Sequence, residues 1–403
     1  MIDPAPASAA DPLRVTWVSP SYGYGGDMLY FKGLFEAVCA RFPATTILID
    51  LRVGYREADN LPLRSGLEGW AIGAERVIGS ASYDASVHVP YPSFLRRLAG
   101  TRPQAIVVIE FTIAALLAIA WARLRGNVAV LLLVESDPAG RGASGNRVVL
   151  ALKRWACRKA DAIQTCNDGG FRFLTQVLRA DPAKVRVAPY LTSCPPPPTV
   201  QPPRTGKRLH LLFVNSLTAR KGCRQLLKGL ALLPPAIAGR IDLTIVGDGP
   251  ERPALEALAA KLTGIPVHFA GAQPYAQLGK FYAAADVLAG PSLADYRSLA
   301  GFEGLGHGLA LLASIADGAS TETLDGGRTG IAIDPANPAG IAAAIARMVE
   351  DPAMLAGMQR NAAALFAARF SFARIADNLV TSLQLAIAAN LRRNGLDERK
   401  VNQ

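Results

Sequence analysis

Two acidic residues flank the predicted start of a short helix, and they form the most specific chemical pattern in the sequence. Asp295 lies in a loop after a Pro-Ser turn, and Glu303 lies in the helix predicted for 299–307, with seven residues between the two acids. Ser298 is a suitable N-cap residue, because its hydroxyl can accept a hydrogen bond from a first-turn N–H group. Gly308 is expected to end the helix before an apolar strand. One carboxylate therefore precedes the helix and the other lies on it.

The start of this helix is also a candidate site for an anion. Its first N–H groups are unpaired and its dipole end is positive, so a phosphate could rest near Leu299 and Ala300. The two carboxylates would then accept hydrogen bonds from hydroxyl groups on either side. Phosphate flanked by hydroxyls describes a nucleotide-sugar. The alternative interpretation is that Asp295 is an ordinary loop acid and Glu303 a partner of the helix dipole.

The same stretch resembles a known family. The order Pro-Ser, acid, seven residues, Glu and then small residues before an apolar strand is similar to the signature of retaining family 4 glycosyltransferases, the glycosyl transferases group 1. The resemblance implies that Asp295 contacts the donor sugar and that Glu303 contacts the ribose. The family usually has Glu at the first position, so the carboxylate here is shorter by one methylene. Because a misplacement near 1 Å can cost on the order of 100-fold in rate, a different donor sugar or a different tilt is expected.

A second segment, LLFVNSLTARKG, adds to the resemblance. Lys221 matches the diphosphate-binding lysine of the family, whereas Asn215 and Ser216 replace the usual Gly-Arg pair. Arg220 is expected to substitute for the missing arginine, since a guanidinium can bind phosphate oxygens bidentately. Gly271 matches the segment whose backbone meets the base. Taken alone, Lys221 would be interpreted as a surface lysine.

The first half of the chain carries weaker signals. Gly25 and Gly26 lie in the loop SYGYGG between the predicted first strand and first helix. In the family this loop meets the donor diphosphate, and an ordinary flexible turn is the alternative. Glu135 follows a predicted strand at the place where the family usually has a His beside the donor sugar. Glu135 is predicted to bond a sugar hydroxyl or to support a cationic transition state, and the alternative is a solvated loop acid.

These residues must be positioned by strands that alternate with helices in both halves of the chain. The strands are rich in Val, Ile and Leu, which indicates parallel sheets covered on both faces. The segment from Leu191 to Lys207 contains six prolines and is predicted to be an extended linker. The predicted fold class is therefore α/β, and the resemblance implies the GT-B fold. This fold has two doubly wound, Rossmann-like domains that face each other across a cleft.

The predicted domain boundaries follow from the linker. Residues 13–189 are expected to form an N-terminal acceptor-binding domain, and residues 190–207 the proline-rich linker. Residues 208–369 are expected to form a C-terminal nucleotide-sugar-binding domain. A helix over 370–395 is expected to cross back to the N-terminal domain.

Composition restricts the partners. The 403 residues carry a net charge of +11, which favours anionic partners. Aromatic residues are few and no nucleic-acid motif is present, so nucleic acid is not expected. The five scattered cysteines suit reduced thiols, and their spacing does not suggest a metal site. The sequence also has no clustered Asp motif that would suggest one. No segment looks long enough to span a membrane, and the first residues lack the features of a secretory signal, so a cytoplasmic protein is expected.

Two basic and apolar stretches predict peripheral contact with the inner face of the cytoplasmic membrane. The stretch from Tyr91 to Leu98 is interpreted as a loop, and the stretch from Arg147 to Lys159 as an amphipathic helix. Apolar groups would insert while Arg and Lys lie among anionic headgroups. The alternative is that the helix only packs on a sheet with its charges in water.

The resemblance implies a metal-independent, hexosyltransferase-like enzyme. It would move a sugar, with retention, from a UDP- or GDP-linked donor to a glycan or lipid-linked acceptor in bacterial glycan or glycolipid assembly. Lys221, Arg220, the helix start at Ser298 and the Gly25-Gly26 loop would stabilise the departing diphosphate. The competing hypothesis is a catalytically degenerate member that binds nucleotide-sugar or glycan as a non-transferring partner subunit. A phosphorylase or an epimerase on the same fold is a less favoured third class.

Overall fold

The first half of the chain is built around a parallel sheet. The computed structural model describes residues 12–18, 29–49, 63–67, 69–72, 87–135, 147–199 and 208–396. In chain order the elements of the first half are β1 (Val15–Val18), α1 (Leu29–Arg41), β2 (Thr45–Ile49), β3 (Leu63–Ser65), β4 (Gly69–Ile72), β5 (Val87–Pro90), α2 (Ser93–Gly100), β6 (Ala105–Ile109), α3 (Ile113–Arg125), β7 (Ala129–Val134), α4 (Arg147–Lys159), β8 (Ala162–Thr165), α5 (Asp168–Arg172) and β9 (Val185–Val187). The strands pair in the order β3-β2-β1-β6-β7-β8-β9, and β4 and β5 form a separate antiparallel pair.

The second half repeats this arrangement around its own parallel sheet. Its elements are β10 (Leu209–Val214), α6 (Cys223–Leu230), α7 (Pro235–Ala238), β11 (Ile241–Val246), α8 (Arg252–Ala259), β12 (Val267–Gly271), α9 (Tyr275–Ala284), β13 (Val287–Gly290), α10 (Leu299–Gly306), β14 (Ala310–Ser314), α11 (Ser320–Thr323), β15 (Gly330–Ile333), α12 (Pro338–Glu350), α13 (Pro352–Leu365) and α14 (Phe372–Arg393). The strand order is β12-β11-β10-β13-β14-β15. In each sheet the order reverses beside the first strand, and ligands of such folds bind at the carboxyl ends of the strands there.

Both faces of the first sheet are covered. In β7, Leu131 and Leu133 belong to one apolar cluster, and Val130 and Leu132, which alternate with them, belong to another. Alternate side chains of a strand point to opposite faces, so every residue of β7 is buried. Because both faces of the sheet are buried, its strands are apolar at nearly every position. The predicted α/β pattern of strands and helices is confirmed.

The long helix α14 packs on the first sheet although it follows the second sheet in the chain. Ile375, Leu379 and Leu383 are buried in the same cluster as the strand residues of β6 and β7. Near its end, Arg393 Nη1 lies 2.5 Å from Asp161 Oδ1. Asp161 also binds Arg123 through both carboxylate oxygens. A buried carboxylate and two arginines therefore fix the end of α14 to the first sheet.

The interpretation of Tyr91 to Leu98 as a loop was wrong, because Ser93–Gly100 is the helix α2. Phe94 and Leu98 lie one helical turn apart, and both are buried in a core cluster. This apolar spacing stabilises a short helix whose arginines remain outside. The sequence pattern also gave no indication of β3, β4 and β5.

The linker is an extended segment that runs between the two sheets. The part that the structure describes, residues 191–199, contains neither helix nor strand. Leu191, Thr192 and Ser193 are buried, and Pro196 lies so close to α9 that a Cβ on Gly279 would be 1.9 Å from its carbonyl oxygen. The linker is thus packed along much of its described length. Among the described helices, none combines the length and the apolar character needed to cross a bilayer.

Candidate functional site

Two cations meet one carboxylate at the carboxyl edge of the second sheet. Lys221 Nζ lies 2.6 Å from Asp295 Oδ2, and Arg220 Nη1 lies 3.2 Å from the same oxygen. The two basic side chains are each 12% exposed and that of Asp295 is 10% exposed, so water screens these charges only weakly. The structure therefore brings together three residues that were predicted to act on one ligand.

Neighbouring strands explain why residues so far apart in sequence meet. Arg220 and Lys221 lie in a tight turn, Ala219–Lys221, which follows β10, and Asp295 lies in the loop that follows the adjacent strand β13. Gly222 then has a left-handed conformation with φ of 74°. A Cβ at Gly222 would lie 1.9 Å from the carbonyl oxygen of Pro291, so only glycine allows the two loops to approach this closely.

A buried acid that the sequence did not reveal, Asp317, lies beside the start of α10. Its Oδ1 accepts hydrogen bonds from the N–H groups of Ser298, at 3.1 Å, and Ala319, at 2.9 Å. Burial and then the charge of Asp295 raise the pKa of Asp317 to about 6. Ser298 occupies the N-cap position, but its side chain makes no capping hydrogen bond, so the predicted role of its hydroxyl was wrong. The Ser298 N–H binds the carboxylate of Asp317 instead.

Leu299 and Ala300 form the first turn of α10 and are half-buried. The carboxylate of Asp317 therefore already lies next to the helix start at which a phosphate was predicted.

The second predicted acid, Glu303, lies inside a group of hydroxyls. Ser193 from the linker donates to its Oε1 at 2.6 Å, and the hydroxyl of Tyr282 binds its Oε2. Tyr275 shares a 2.8 Å hydrogen bond with Ser193, which extends the group. Burial raises the pKa of Glu303, whereas the hydrogen bonds from Ser193 and Tyr282 lower it. Glu303 is therefore a buried acid that accepts hydroxyl donors, and its partners include the linker.

Three more of the predicted donor-binding residues lie at strand ends of the second sheet: Asn215 and Ser216 follow β10, and Gly271 ends β12. The N–H of Asn215 donates to Val246 O at 3.1 Å, and that of Gly247 donates to Gly271 O at 2.8 Å. A Cβ on Gly247 would lie 1.9 Å from the carbonyl oxygen of Asn215. The carbonyl of Ser216 accepts a hydrogen bond within the next turn. These backbones are therefore close together at the edge that carries Lys221.

The predicted residue Glu135 lies at the end of β7 in the first sheet. Burial raises its pKa to about 7, and of the nearby charges Arg297 lowers that pKa while Asp295 raises it. These two groups belong to the second half of the chain, so the carboxyl of Glu135 lies within electrostatic reach of the Lys221 and Asp295 cluster. Glu135 itself is half-buried and follows the last residue of the strand.

Sequence reasoning missed a second acid beside Glu135. Glu110 follows β6, and its Oε1 accepts a hydrogen bond from the N–H of Glu135 at 2.5 Å. Burial raises the pKa of Glu110 to about 8, and the charge of Glu135 adds to this increase. An acid directly after a fully apolar strand was the available signal.

A buried ion pair joins both sheets and the linker, and it also escaped the sequence analysis. Arg297 Nη2 lies 3.0 Å from Glu322 Oε2, and the two side chains are 0% and 4% exposed. Arg297 also donates to Leu191 O at 2.7 Å, and Asn167 donates to Glu322 Oε1 at 2.9 Å. The guanidinium lies 4.0 Å from the centre of the Phe302 ring. The contacts of Arg297 appear only when loops from different parts of the chain are assembled.

Gly25 and Gly26 lie outside the described residues. Within the part of the chain that the structure describes, no group of three or more His, Cys, Asp or Glu side chains is arranged to hold a metal ion.

Comparison with known proteins finds a family match over the segment that carries most of these residues. Residues 200–365 match the family described as glycosyl transferases group 1. The chain is 28% identical to the glycogen synthase of Mycobacterium tuberculosis over 234 residues, which are 56% of each chain. It is 32% identical over 169 residues to the D-inositol 3-phosphate glycosyltransferase of Thermomonospora curvata, covering 38% of this chain and 39% of that protein. The chain thus spans about half the length, or less, of these curated relatives.

Solved structures resemble nearly the whole chain. Sucrose-phosphate synthase of Thermosynechococcus elongatus has a TM-score of 0.67 at 18% identity, covering 94% of this chain and all of that one. HepE of Anabaena in complex with UDP has a TM-score of 0.70 at 15% identity, covering 92% and 99%. WaaG, a glycosyltransferase involved in lipopolysaccharide biosynthesis, has a TM-score of 0.63 at 16% identity, covering 92% and 99%. At these identities the likeness shows the fold, and the predicted GT-B fold is confirmed.

Proposed function

We propose that this protein, whose residues 200–365 match the glycosyl transferases group 1 family, transfers a sugar from a nucleotide diphosphate sugar to a hydroxyl acceptor. The observation that carries the proposal is the convergence of Lys221 and Arg220 on Asp295 at the carboxyl edge of the second sheet. Two weakly screened cations at this edge suit a diphosphate, because charge-assisted hydrogen bonds to phosphate are strong in such surroundings.

The cations would act on the leaving group. Transfer breaks the bond between the anomeric carbon and the diphosphate, and negative charge develops on the diphosphate. In the structure Lys221 and Arg220 both contact Asp295, whose single negative charge balances only one of the two positive charges. A bound diphosphate would bind both cations in place of Asp295. Asp295 would then be free to accept hydrogen bonds from hydroxyls of the donor sugar. Cations that are already in place stabilise the developing charge with little reorganisation.

Glu303 would bind the ribose of the donor. Both of its carboxylate oxygens already accept hydrogen bonds, from Ser193 and from Tyr282. An ionised carboxylate can accept about four hydrogen bonds, so ribose hydroxyls can join these partners or displace the one from the linker. Donor binding would then alter a contact between the linker and α10.

Glu135 would face the donor sugar from the first sheet. The positive charge of Arg297 and the negative charge of Asp295 both act on its carboxyl group. An acid in this position can accept a hydrogen bond from a sugar hydroxyl or stabilise positive charge at the anomeric carbon.

We propose that the anomeric configuration is retained. The NMR coupling constant of the product's anomeric proton would measure this configuration.

A uridine donor is proposed ahead of a guanosine donor, since HepE of Anabaena was solved with UDP and with UDP-glucose. The acceptor is proposed to belong to bacterial glycan or glycolipid assembly. WaaG, which shares the fold, is described as involved in lipopolysaccharide biosynthesis.

The helix α4 is proposed to contact an anionic membrane surface. Its Val148 is 67% exposed and Leu152 is 44% exposed, and Arg147 and Lys159 lie on the same helix. Exposed apolar side chains among basic ones suit the interface of an acidic bilayer. Replacing Val148 and Leu152 together by Ser should reduce sedimentation with acidic liposomes, whereas Leu124→Ser on α3 should not. Equal sedimentation with neutral liposomes, unaffected by salt, would contradict the electrostatic part of this proposal.

Turnover measurements test the proposed reaction. The wild-type protein should release nucleoside diphosphate from at least one member of a panel of UDP- and GDP-sugars. Lys221→Ala and Glu303→Ala should each lower kcat/KM by roughly 100-fold or more while the protein stays folded, because each removes a contact to the diphosphate or the ribose. The exposed Lys228 on α6 provides a matched control, and Lys228→Ala should keep wild-type turnover. Normal turnover in the Lys221 and Glu303 variants would show that the assignment is wrong.

A non-transferring binding protein is the second candidate. Asn215 and Ser216 stand where the family usually has Gly-Arg, and Lys221 and Arg220 both contact Asp295, which occupies the side of them that a diphosphate would use. Calorimetry with UDP and GDP distinguishes the candidates. Tight nucleotide binding together with no turnover on any donor or acceptor would favour the binding role.

A further inference from the structure

The strands β6 and β7 end side by side, and an acid follows each of them. Their register pairs Ile109 with Leu133, and the N–H of Glu110 continues this pairing by donating to Leu133 O at 2.8 Å. The side chain of Glu110 then turns across the end of β7, where its Oε1 accepts the N–H of Glu135 at 2.5 Å. The Glu110 carboxylate therefore restrains the backbone of Glu135 through this hydrogen bond.

The backbone of Glu110 has an unusual conformation. Its φ is 57°, in the left-handed region that residues with a side chain seldom adopt. Such conformations persist where the surrounding structure requires them, and they occur often at functional sites. Here the conformation accompanies the hydrogen bond across the neighbouring strand end.

The charged groups around the two acids lie on different elements. Lys153 of α4 acts on Glu110 and lowers its pKa, whereas Glu135 raises it. Arg297 lowers the pKa of Glu135, and three acids of the second half raise it, namely Asp295, Glu322 and Asp317. The buried thiols of Cys157 and Cys166 are also within electrostatic reach of Glu110 and Glu135, respectively. The charges that act on Glu135 therefore lie in the second half of the chain, whereas Glu110 follows β6 in the first sheet.

We propose that Glu110 is a positioning residue for Glu135, which it directs toward the Asp295 and Lys221 cluster by binding the Glu135 N–H. The proposal rests on the sugar transfer proposed above, in which Glu135 faces the donor sugar. Glu110 itself need not touch the donor. Its contribution is the hydrogen-bond acceptor, and its negative charge is not required.

A pair of substitutions separates the acceptor from the charge. Glu110→Gln keeps a carbonyl oxygen in the same place and removes the ionisable group, whereas Glu110→Ala removes the acceptor. Because a displacement near 1 Å in a reacting complex can cost on the order of 100-fold in rate, Glu110→Ala should lower kcat by roughly 10-fold or more. The KM for the donor should stay unchanged, since Lys221 and Glu303 are untouched. Glu110→Gln should keep kcat within about threefold of wild type.

A second measurement does not depend on turnover. The titration of Glu135 can be followed by NMR of protein with ¹³C-labelled glutamate carboxyls, with Glu135→Gln used to assign the signal. The Glu135 signal should titrate with a displaced midpoint in Glu110→Ala and with nearly the wild-type midpoint in Glu110→Gln. Calorimetric UDP affinity should be the same in all three proteins, which would show that the second half is intact.

Three results would overturn the proposal. One is equal kcat in Glu110→Ala and wild type, and another is an equal loss in Glu110→Ala and Glu110→Gln. The third is an unchanged Glu135 midpoint in Glu110→Ala. If the wild-type protein transfers no sugar, the proposed function fails, and the Glu135 titration alone then decides whether Glu110 positions Glu135.

Discussion

Four acidic side chains near the candidate site have a pKa above the ordinary value for their type. Burial is the first cause of the raised pKa of Glu110, Glu135, Glu303 and Asp317. A folded protein that contains such acids binds more protons than its unfolded chain over the range between the ordinary and the raised pKa. The free energy of unfolding contributed by these groups therefore falls as the pH rises through that range.

Glu135→Gln tests this cost at a single residue. The pKa of Glu135 is raised to about 7 from an ordinary value of 4.5, so its ionisation destabilises the folded protein progressively between pH 4.5 and 7. Above pH 7, Glu135→Gln should be more stable than wild type by about 1–3 kcal/mol. Urea denaturation at pH 5 and pH 8 measures the difference. If the variant and the wild type lose the same stability between these two pH values, Glu135 does not ionise at a cost.

At the scale of elements, the contact between the turn after β10 and the loop after β13 determines the position of Lys221. Gly222 makes the contact possible by its φ of 74° and by the missing Cβ. The order of strand, turn and helix around Lys221 could be predicted from the sequence, because apolar runs and Gly-containing turns are local signals. The hydroxyls that surround Glu303 could not be predicted from the sequence, because Ser193 comes from the linker and Tyr282 from α9. Local patterns do not report such long-range contacts.

Gly222→Ala should separate the two loops. The overlap with Pro291 and the left-handed φ together should cost roughly 2–4 kcal/mol of stability. Lys221 should move away from Asp295, so turnover should fall even where the variant remains folded. Gly326 offers a control, since its φ is 66° and nothing lies within 4 Å of an added Cβ. Gly326→Ala should cost only about 1 kcal/mol and leave turnover unchanged. Equal stability losses in the two variants would contradict the steric argument.

At the scale of the whole molecule, Arg297 and Glu322 connect the two sheets through the linker and Asn167. The two-sheet architecture was predictable from the alternation of strands and helices on either side of the prolines. The connection made by Arg297 and Glu322 was not predictable, because each residue in it looks like an ordinary loop residue in the sequence. Its buried charges are tolerable only because they are paired and hydrogen-bonded.

Removing one partner of this ion pair should be costly. Glu322→Ala leaves the charge of Arg297 buried without a carboxylate partner and should destabilise the protein by about 3–5 kcal/mol. The exposed pair of Arg252 and Glu256, 31% and 46% exposed, provides the comparison. Glu256→Ala should cost at most about 1 kcal/mol. Thermal denaturation of both variants measures the contrast, and similar melting temperatures would rule out a special role for the buried pair.

The return of α14 to the first sheet has a consequence for the order of events during synthesis. The ribosome completes all strands of the first sheet, and then the entire second sheet, before it makes Ile375, Leu379 and Leu383. Until then only part of this apolar face of the first sheet is covered, by residues of α1 such as Leu34 and Phe35. The first sheet can therefore complete its core only after the second half has been synthesised. A polypeptide cut after the second sheet is expected to aggregate or to bind a chaperone.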